Sequence, residues 1–122
     1  MRIAKDLVAA SSTPLVLGIL AEEESYGYAI LKEVSDRSGG RLEWTEGLLY
    51  PLLHRLEKTG YIESHWRTPE GGRRRKYYRI TEEGRRELAE QRRQWDAVVE
   101  ALQDVWTATK SAAPLAPPAL EA

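Results

Sequence analysis

The sequence predicts a mainly α fold with a β-hairpin wing, a winged helix-turn-helix followed by a long C-terminal dimerisation helix. Three observations predict it. Two short apolar helical stretches precede a third with a regular leucine stripe. Two alternating, strand-like stretches follow at once, separated by proline and glycine, and a long helical pattern then runs from Glu82 to about Thr107.

The first helix is expected to open at Thr13-Pro14, a hydroxyl N-cap followed by proline at the first helical position. Leu15, Val16, Ile19 and Leu20 then supply an apolar stripe as far as about Glu24. A second helix begins around Ser25 to Gly27 and runs through Ile30, Leu31 and Val34 to the stop signal Ser38-Gly39-Gly40. A brief extended piece, Leu42 to Trp44, leads into the third helix, Thr45 to about Lys58.

This third helix is the most informative. Thr45 is its N-cap, and Trp44 before it is placed to staple onto Leu49. Leu49, Leu52, Leu53 and Leu56 follow i, i+3, i+4, i+7 spacing and form the buried face. The opposite face carries Gly47, Pro51, His54, Arg55 and Lys58, with Leu48 and Tyr50 on its flanks. Proline in a helix interior costs about 3 kcal/mol through a lost hydrogen bond and a clash with the carbonyl four residues back. Here that residue is Gly47, which can flex, and the lost donor faces outward. An outward face with a proline, a tyrosine and cations suits a nucleic-acid groove better than plain solvent.

Thr59-Gly60 closes the helix. Tyr61 to Trp66 alternates as a strand, Thr68-Pro69-Glu70-Gly71-Gly72 is turn chemistry, and Arg74 to Ile80 is the return strand. Thr81 then caps the long helix, with Glu82 and Glu83 in the first turn where the helix dipole favours negative charge. Leu88, Trp95, Val98, Leu102 and Val105 make a near-heptad apolar seam, interrupted by Gln91 and widened by Val99 and Trp106. So long a helix on so short a chain leaves this face without cover from its own domain, and a homodimer is expected. The division is residues 1–80 for the winged helix-turn-helix with its N-terminal helix, 81–110 for the dimerisation helix, and 111–122 for a disordered, proline-rich tail.

Charge distribution points the same way. The chain carries a net charge of −1, yet between Arg73 and Arg93 nine Lys/Arg face four glutamates, a local surplus of five positive charges. Segregation of this kind is the footprint of a polyanion partner. A solvated helix face accounts for the part from Arg85 to Arg93, where glutamates interleave. It accounts less well for the unbroken run Arg73, Arg74, Arg75, Lys76. On these grounds Thr45, Gly47, Tyr50, Pro51, Arg55 and those four wing cations are the candidate DNA-binding residues, with a palindromic duplex as partner.

Other classes are excluded by composition. Absence of cysteine removes disulfides, thiolate metal sites and cysteine nucleophiles, and two histidines without a matching carboxylate pattern leave no basis for an enzyme. A metal-responsive site would have to rest on His54, His65 and scattered carboxylates, so neither metal nor cofactor is expected. No apolar run approaches the ~18 residues of a membrane span, and the amino terminus is a poor secretory signal, so a cytoplasmic protein is expected. Trp44 and Trp66 are read as core or wing-packing residues, His54 as solvated or near phosphate, and Glu46 as a helix-dipole partner rather than a cytosine reader.

Three blocks resemble the PadR family: Tyr26-Gly27-Tyr28-Ala29-Ile30, the run EGLLYPLLHRLEKTGYI from Glu46 to Ile62, and GGRRRKYYRITEEG from Gly71 to Gly84. The similarity covers roughly Thr13 to Trp106 and is closest to the short form with one C-terminal helix. It implies a dimeric transcription regulator, usually a repressor, whose DNA binding is relieved by a small molecule. Where the family commonly has threonine before Leu-Tyr-Pro, this chain has Leu48, so base preference does not carry over. The resemblance also implies that Trp95 sits where multidrug-binding relatives sandwich flat apolar ligands, with Leu7, Ala10 and Val99 as further lining residues. Plain dimer core is the other reading of Trp95. The alternative to a DNA-binding regulator is a winged helix used as a protein or RNA interaction module without an effector.

Overall fold

The computed structural model describes residues 1–112. Four helices and three strands follow one another as α1 (Lys5–Glu22), β1 (Ser25–Tyr26), α2 (Gly27–Arg37), α3 (Glu46–Thr59), β2 (Ile62–Arg67), β3 (Arg75–Ile80) and α4 (Glu82–Ala112). They form two compact units, Met1–Ala89 and a second beginning at Glu90.

In the first unit, the three helices α1 to α3 enclose one core. Val16, Leu17 and Leu20 of α1, Ile30 and Val34 of α2, and Leu49, Leu52, Leu53 and Leu56 of α3 meet Trp44, Ile62, Tyr78 and Ile80 there. The leucine stripe of α3 is buried throughout, as its spacing predicts, and Trp44 is core. Burying each such side chain is worth roughly 1.5 to 3 kcal/mol, which makes this cluster the main support of the fold. Leu88, in the first turns of α4, packs against the same core.

Three local features differ from the sequence expectation. Helix α1 starts at Lys5, so Thr13 is not its cap and Pro14 lies inside it. Proline removes the bond that would reach the carbonyl of Ala10. The turns before it persist because Val8 already packs against the core, while the hydroxyls of Ser11 and Ser12 donate to the carbonyls of Leu7 (2.7 Å) and Ala9 (2.9 Å). Residues 42–44 form no strand; instead Ser25–Tyr26 does, pairing with Tyr78 and Tyr77. Two residues are too short to show a period. Finally, α4 continues to Ala112, so Ser111 and Ala112 are helical where the tail was expected to begin, and the rest of that tail lies outside the described residues.

The sheet order is β1-β3-β2, all antiparallel, with β2 and β3 in register from Ile62 opposite Ile80 to Arg67 opposite Arg75. Alternation puts Ile62, Tyr78 and Ile80 on the helix-facing side, with Ser64, Trp66 and Lys76 beyond them. Gly60 closes α3 in the left-handed conformation (φ 94°) and turns the chain into β2.

The junction from wing to α4 is tightly tied. The Thr81 hydroxyl donates to the Gly60 carbonyl (2.7 Å) and accepts from the Gly84 N–H (3.0 Å), which makes it the N-cap of α4. The Thr81 N–H also bonds the Tyr61 carbonyl (3.0 Å). Glycine is required at position 84 because a Cβ would press into that same carbonyl group and lie 2.8 Å from Cγ1 of Ile80.

Candidate nucleic-acid interface

Helix α3 begins where the sequence places it. The Thr45 hydroxyl accepts from the Leu48 N–H (3.2 Å), and Glu46 occupies the first turn. Gly47, Tyr50, Pro51, His54, Arg55 and Lys58 are exposed, so the face opposite the leucine stripe is open. Pro51 stands inside the helix without ending it. The ring of Tyr50 lies across the first residue of α2, Gly27, where any larger side chain would collide with it.

The wing carries its cations in graded settings. Its turn is closed by a bond from the Gly72 N–H to the Pro69 carbonyl (2.9 Å), with Gly71 at φ 72°. Arg73 and Arg74 are exposed in the loop, whereas Arg75 and Lys76 are half-buried on β3. Arg74 lies 4.7 Å from the centre of the Trp66 ring and Arg75 4.4 Å from that of Tyr26. Lys76 approaches the Tyr78 ring at 5.7 Å and Glu57 of α3 at 4.0 Å. Glu57 also accepts from the Ser64 hydroxyl (2.6 Å), so one carboxylate links α3 to both wing strands. Burial, with Glu57 and Tyr50 nearby, raises the Tyr78 phenol above its ordinary range and keeps it neutral.

Arg67 and Arg75 stand directly opposite each other, a pairing that like charges disfavour. Each is drawn to a different ring: Arg67 lies 4.6 Å from Tyr77 and pairs with Glu24, while Arg75 covers Tyr26. These ring contacts give the wing cations intramolecular partners on the sheet.

A cleft of about 600 Å³ opens between the start of α2, the first turns of α3 and the wing. Tyr50 and all four cations of positions 73 to 76 line it, together with Tyr26, Gly27, Tyr28, Trp66, Tyr78 and one carboxylate, Glu46. Of the sequence-derived residues, Thr45, the N-cap of α3, and Gly47, Pro51 and Arg55 on α3 lie outside that lining. Tyr26, Tyr28, Trp66, Tyr78 and Glu57 were not singled out as interface residues. For Tyr26, Trp66 and Tyr78 the signal was an aromatic ring facing a cation (Arg75, Arg74 and Lys76), visible only once the strand register is known.

Of the other candidate residues, Leu7 and Ala10 are exposed on α1, one turn apart. In the second unit Trp95 is half-buried, and Val98, Val99, Leu102, Val105 and Trp106 are exposed. Their spacing puts them on one side of α4. Among the described residues there is no cluster of three or more histidines or carboxylates that could hold a metal, and no helix is long and apolar enough to cross a membrane.

A helical core, an open third helix and a cationic hairpin beside it define a winged-helix transcription regulator. Residues 16–90 match the Transcriptional regulator PadR-like family. The chain is 42% identical over 78 residues to the transcriptional regulator Rv3488 of Mycobacterium tuberculosis, covering 64% of this chain and 69% of that one. Its fold matches a transcriptional regulator from Clostridium thermocellum with a TM-score of 0.75 and 31% identity, over 82% of this chain and 97% of the other. It also matches a PadR family transcriptional regulator from Eggerthella lenta with a TM-score of 0.68 and 38% identity, over 83% and 82%. This chain belongs to the PadR-like family of transcriptional regulators and is not an enzyme.

Proposed function

We propose that the protein is a homodimeric repressor that binds a palindromic duplex through α3 and the wing and is released by a planar aromatic small molecule. The observation that carries the DNA reading is the shared cleft: Tyr50 of the open α3 face and the cations of positions 73 to 76 line one concavity. A helix in the major groove with cations along the adjacent backbone requires that juxtaposition. In this reading Thr45, Gly47, Tyr50, Pro51 and Arg55 serve the groove, and Arg73, Arg74, Arg75 and Lys76 the phosphates.

Dimerisation is supported by the apolar side of α4. Val98, Leu102, Val105 and Trp106 are 40 to 58% exposed in the single chain, and a stripe of that size invites a second copy. Two-fold symmetry then sets half-sites about one helical turn, ~34 Å, apart. The effector reading draws on Trp95, whose indole offers a rigid stacking surface, with Val99 one turn on; Leu7 and Ala10 enter it through the family resemblance alone.

Selection of bound fragments from a random duplex pool tests this reading. A palindromic footprint that Tyr50→Ala and Arg55→Ala both weaken is the expected outcome. Recovery of no preferred duplex, with RNA bound instead, rejects it.

A further inference from the structure

We propose that Trp66 and Tyr26 are positioning residues for DNA binding, their rings holding the guanidiniums of Arg74 and Arg75 ready for phosphate. The proposal rests on the reading of the wing as a phosphate contact and assigns it two residues that never need touch the nucleic acid.

Trp66 is 54% exposed, so its indole has no core to serve. It sits on β2 opposite Lys76, and Arg74, just before β3, covers its ring at 4.7 Å. Tyr26 comes from another element, the two-residue strand at the sheet edge. Its ring meets Tyr77 edge-on, with centres 5.3 Å apart and planes at 62°, so the sheet fixes its attitude before Arg75 arrives at 4.4 Å. Arg73 is the contrast: among the described residues it has no ion pair, hydrogen bond or ring contact.

The physics favours this division. A free arginine has many rotamers, and a phosphate that captures it must overcome their loss. A guanidinium can lie on a ring by its face and still present its N–H edge, the part that grips a phosphate. Ring and phosphate therefore do not compete for the same atoms. Ordering that occurs on folding is no longer a cost of binding. Ring contacts at exposed sites predict an affinity gain of about two- to fivefold per wing.

A double-mutant cycle on a mixed-sequence DNA duplex, where affinity is electrostatic, isolates the effect. Arg74→Gln should weaken binding and flatten the dependence of log K on log salt by about 0.9 for each wing engaged. Trp66→Leu should weaken binding by about two- to fivefold for each wing engaged, at unchanged slope, because Arg74 still reaches its phosphate once bound. The pair together should bind no worse than Arg74→Gln alone. Tyr26→Leu with Arg75→Gln should behave alike, and Trp66→Phe and Tyr26→Phe, which keep a ring, should recover most of the affinity. Thermal midpoints identify any variant that fails to fold, and the phenylalanine pair keeps the comparison open if a leucine variant does. If Trp66→Leu costs as much in the Arg74→Gln background as in the parent, or costs nothing in either, the positioning role is wrong while the wing reading stands. If Arg74→Gln and Arg75→Gln both leave affinity and slope unchanged, the wing reading fails and the positioning role fails with it.

Discussion

The Tyr50 ring occupies the space in which a side chain on Gly27 would stand: a Cβ there would lie 2.6 Å from Cζ of Tyr50. Gly27 opens α2 without a positive φ, so its backbone does not demand glycine. What demands it is the close approach of α3, which sets the angle at which Tyr50 enters the cleft.

Gly27→Ala should therefore separate stability from function. The displaced atoms belong to a side chain that can swing away, and alanine favours the helix by up to about 1 kcal/mol, so the unfolding free energy should shift by less than about that amount. DNA affinity should fall as it does for Tyr50→Ala. The double variant should be no weaker than Tyr50→Ala alone, as measured by fluorescence anisotropy.

Gly84→Ala should do the reverse of this. Its new methyl group would meet the Tyr61 backbone, which is held in place by the Thr81 N–H. No rotamer change relieves that contact, and overpacking of this kind costs about 1 to 3 kcal/mol. Urea unfolding should show the loss as a lower midpoint, and an unchanged midpoint would contradict the tight junction between wing and α4.

These two glycines show how far the sequence could be read. The 3.6-residue stripe of α3 and the alternation of β2 and β3 were legible because both periods repeat several times in a short window. Pro14 misled because Thr-Pro is a sound helix start, whereas packing of Val8 against the core and the Ser11 and Ser12 hydroxyl bonds accompany the extension of α1 back to Lys5. On the functional side, charge and exposure singled out Tyr50 and the wing cations, and the structure brings them around one cleft. Trp66, Tyr26 and Glu57 were not, since their partners lie across strands and are set by register rather than by nearness in sequence.

The apolar side of α4 predicts the assembly. Val98→Glu with Leu102→Glu should give monomers in sedimentation velocity where the parent sediments as a dimer. The variant should lose operator affinity because its half-sites are no longer bound together. Trp95→Ala should leave the dimer intact and abolish quenching of tryptophan fluorescence by flat apolar dyes. A parent protein that stays a stable monomer at micromolar concentration contradicts the dimer, and a dye panel that neither quenches it nor releases DNA contradicts the effector.

The central claim is that one surface, the Tyr50 face of α3 together with the wing, binds DNA. Its most direct measurement is the salt dependence of duplex affinity for the parent and for the Arg73→Gln, Arg74→Gln double variant. Two lost phosphate contacts per wing should flatten the slope of log K against log salt by about 1.8 for each wing engaged. Equal slopes and equal affinities for the two proteins would contradict it.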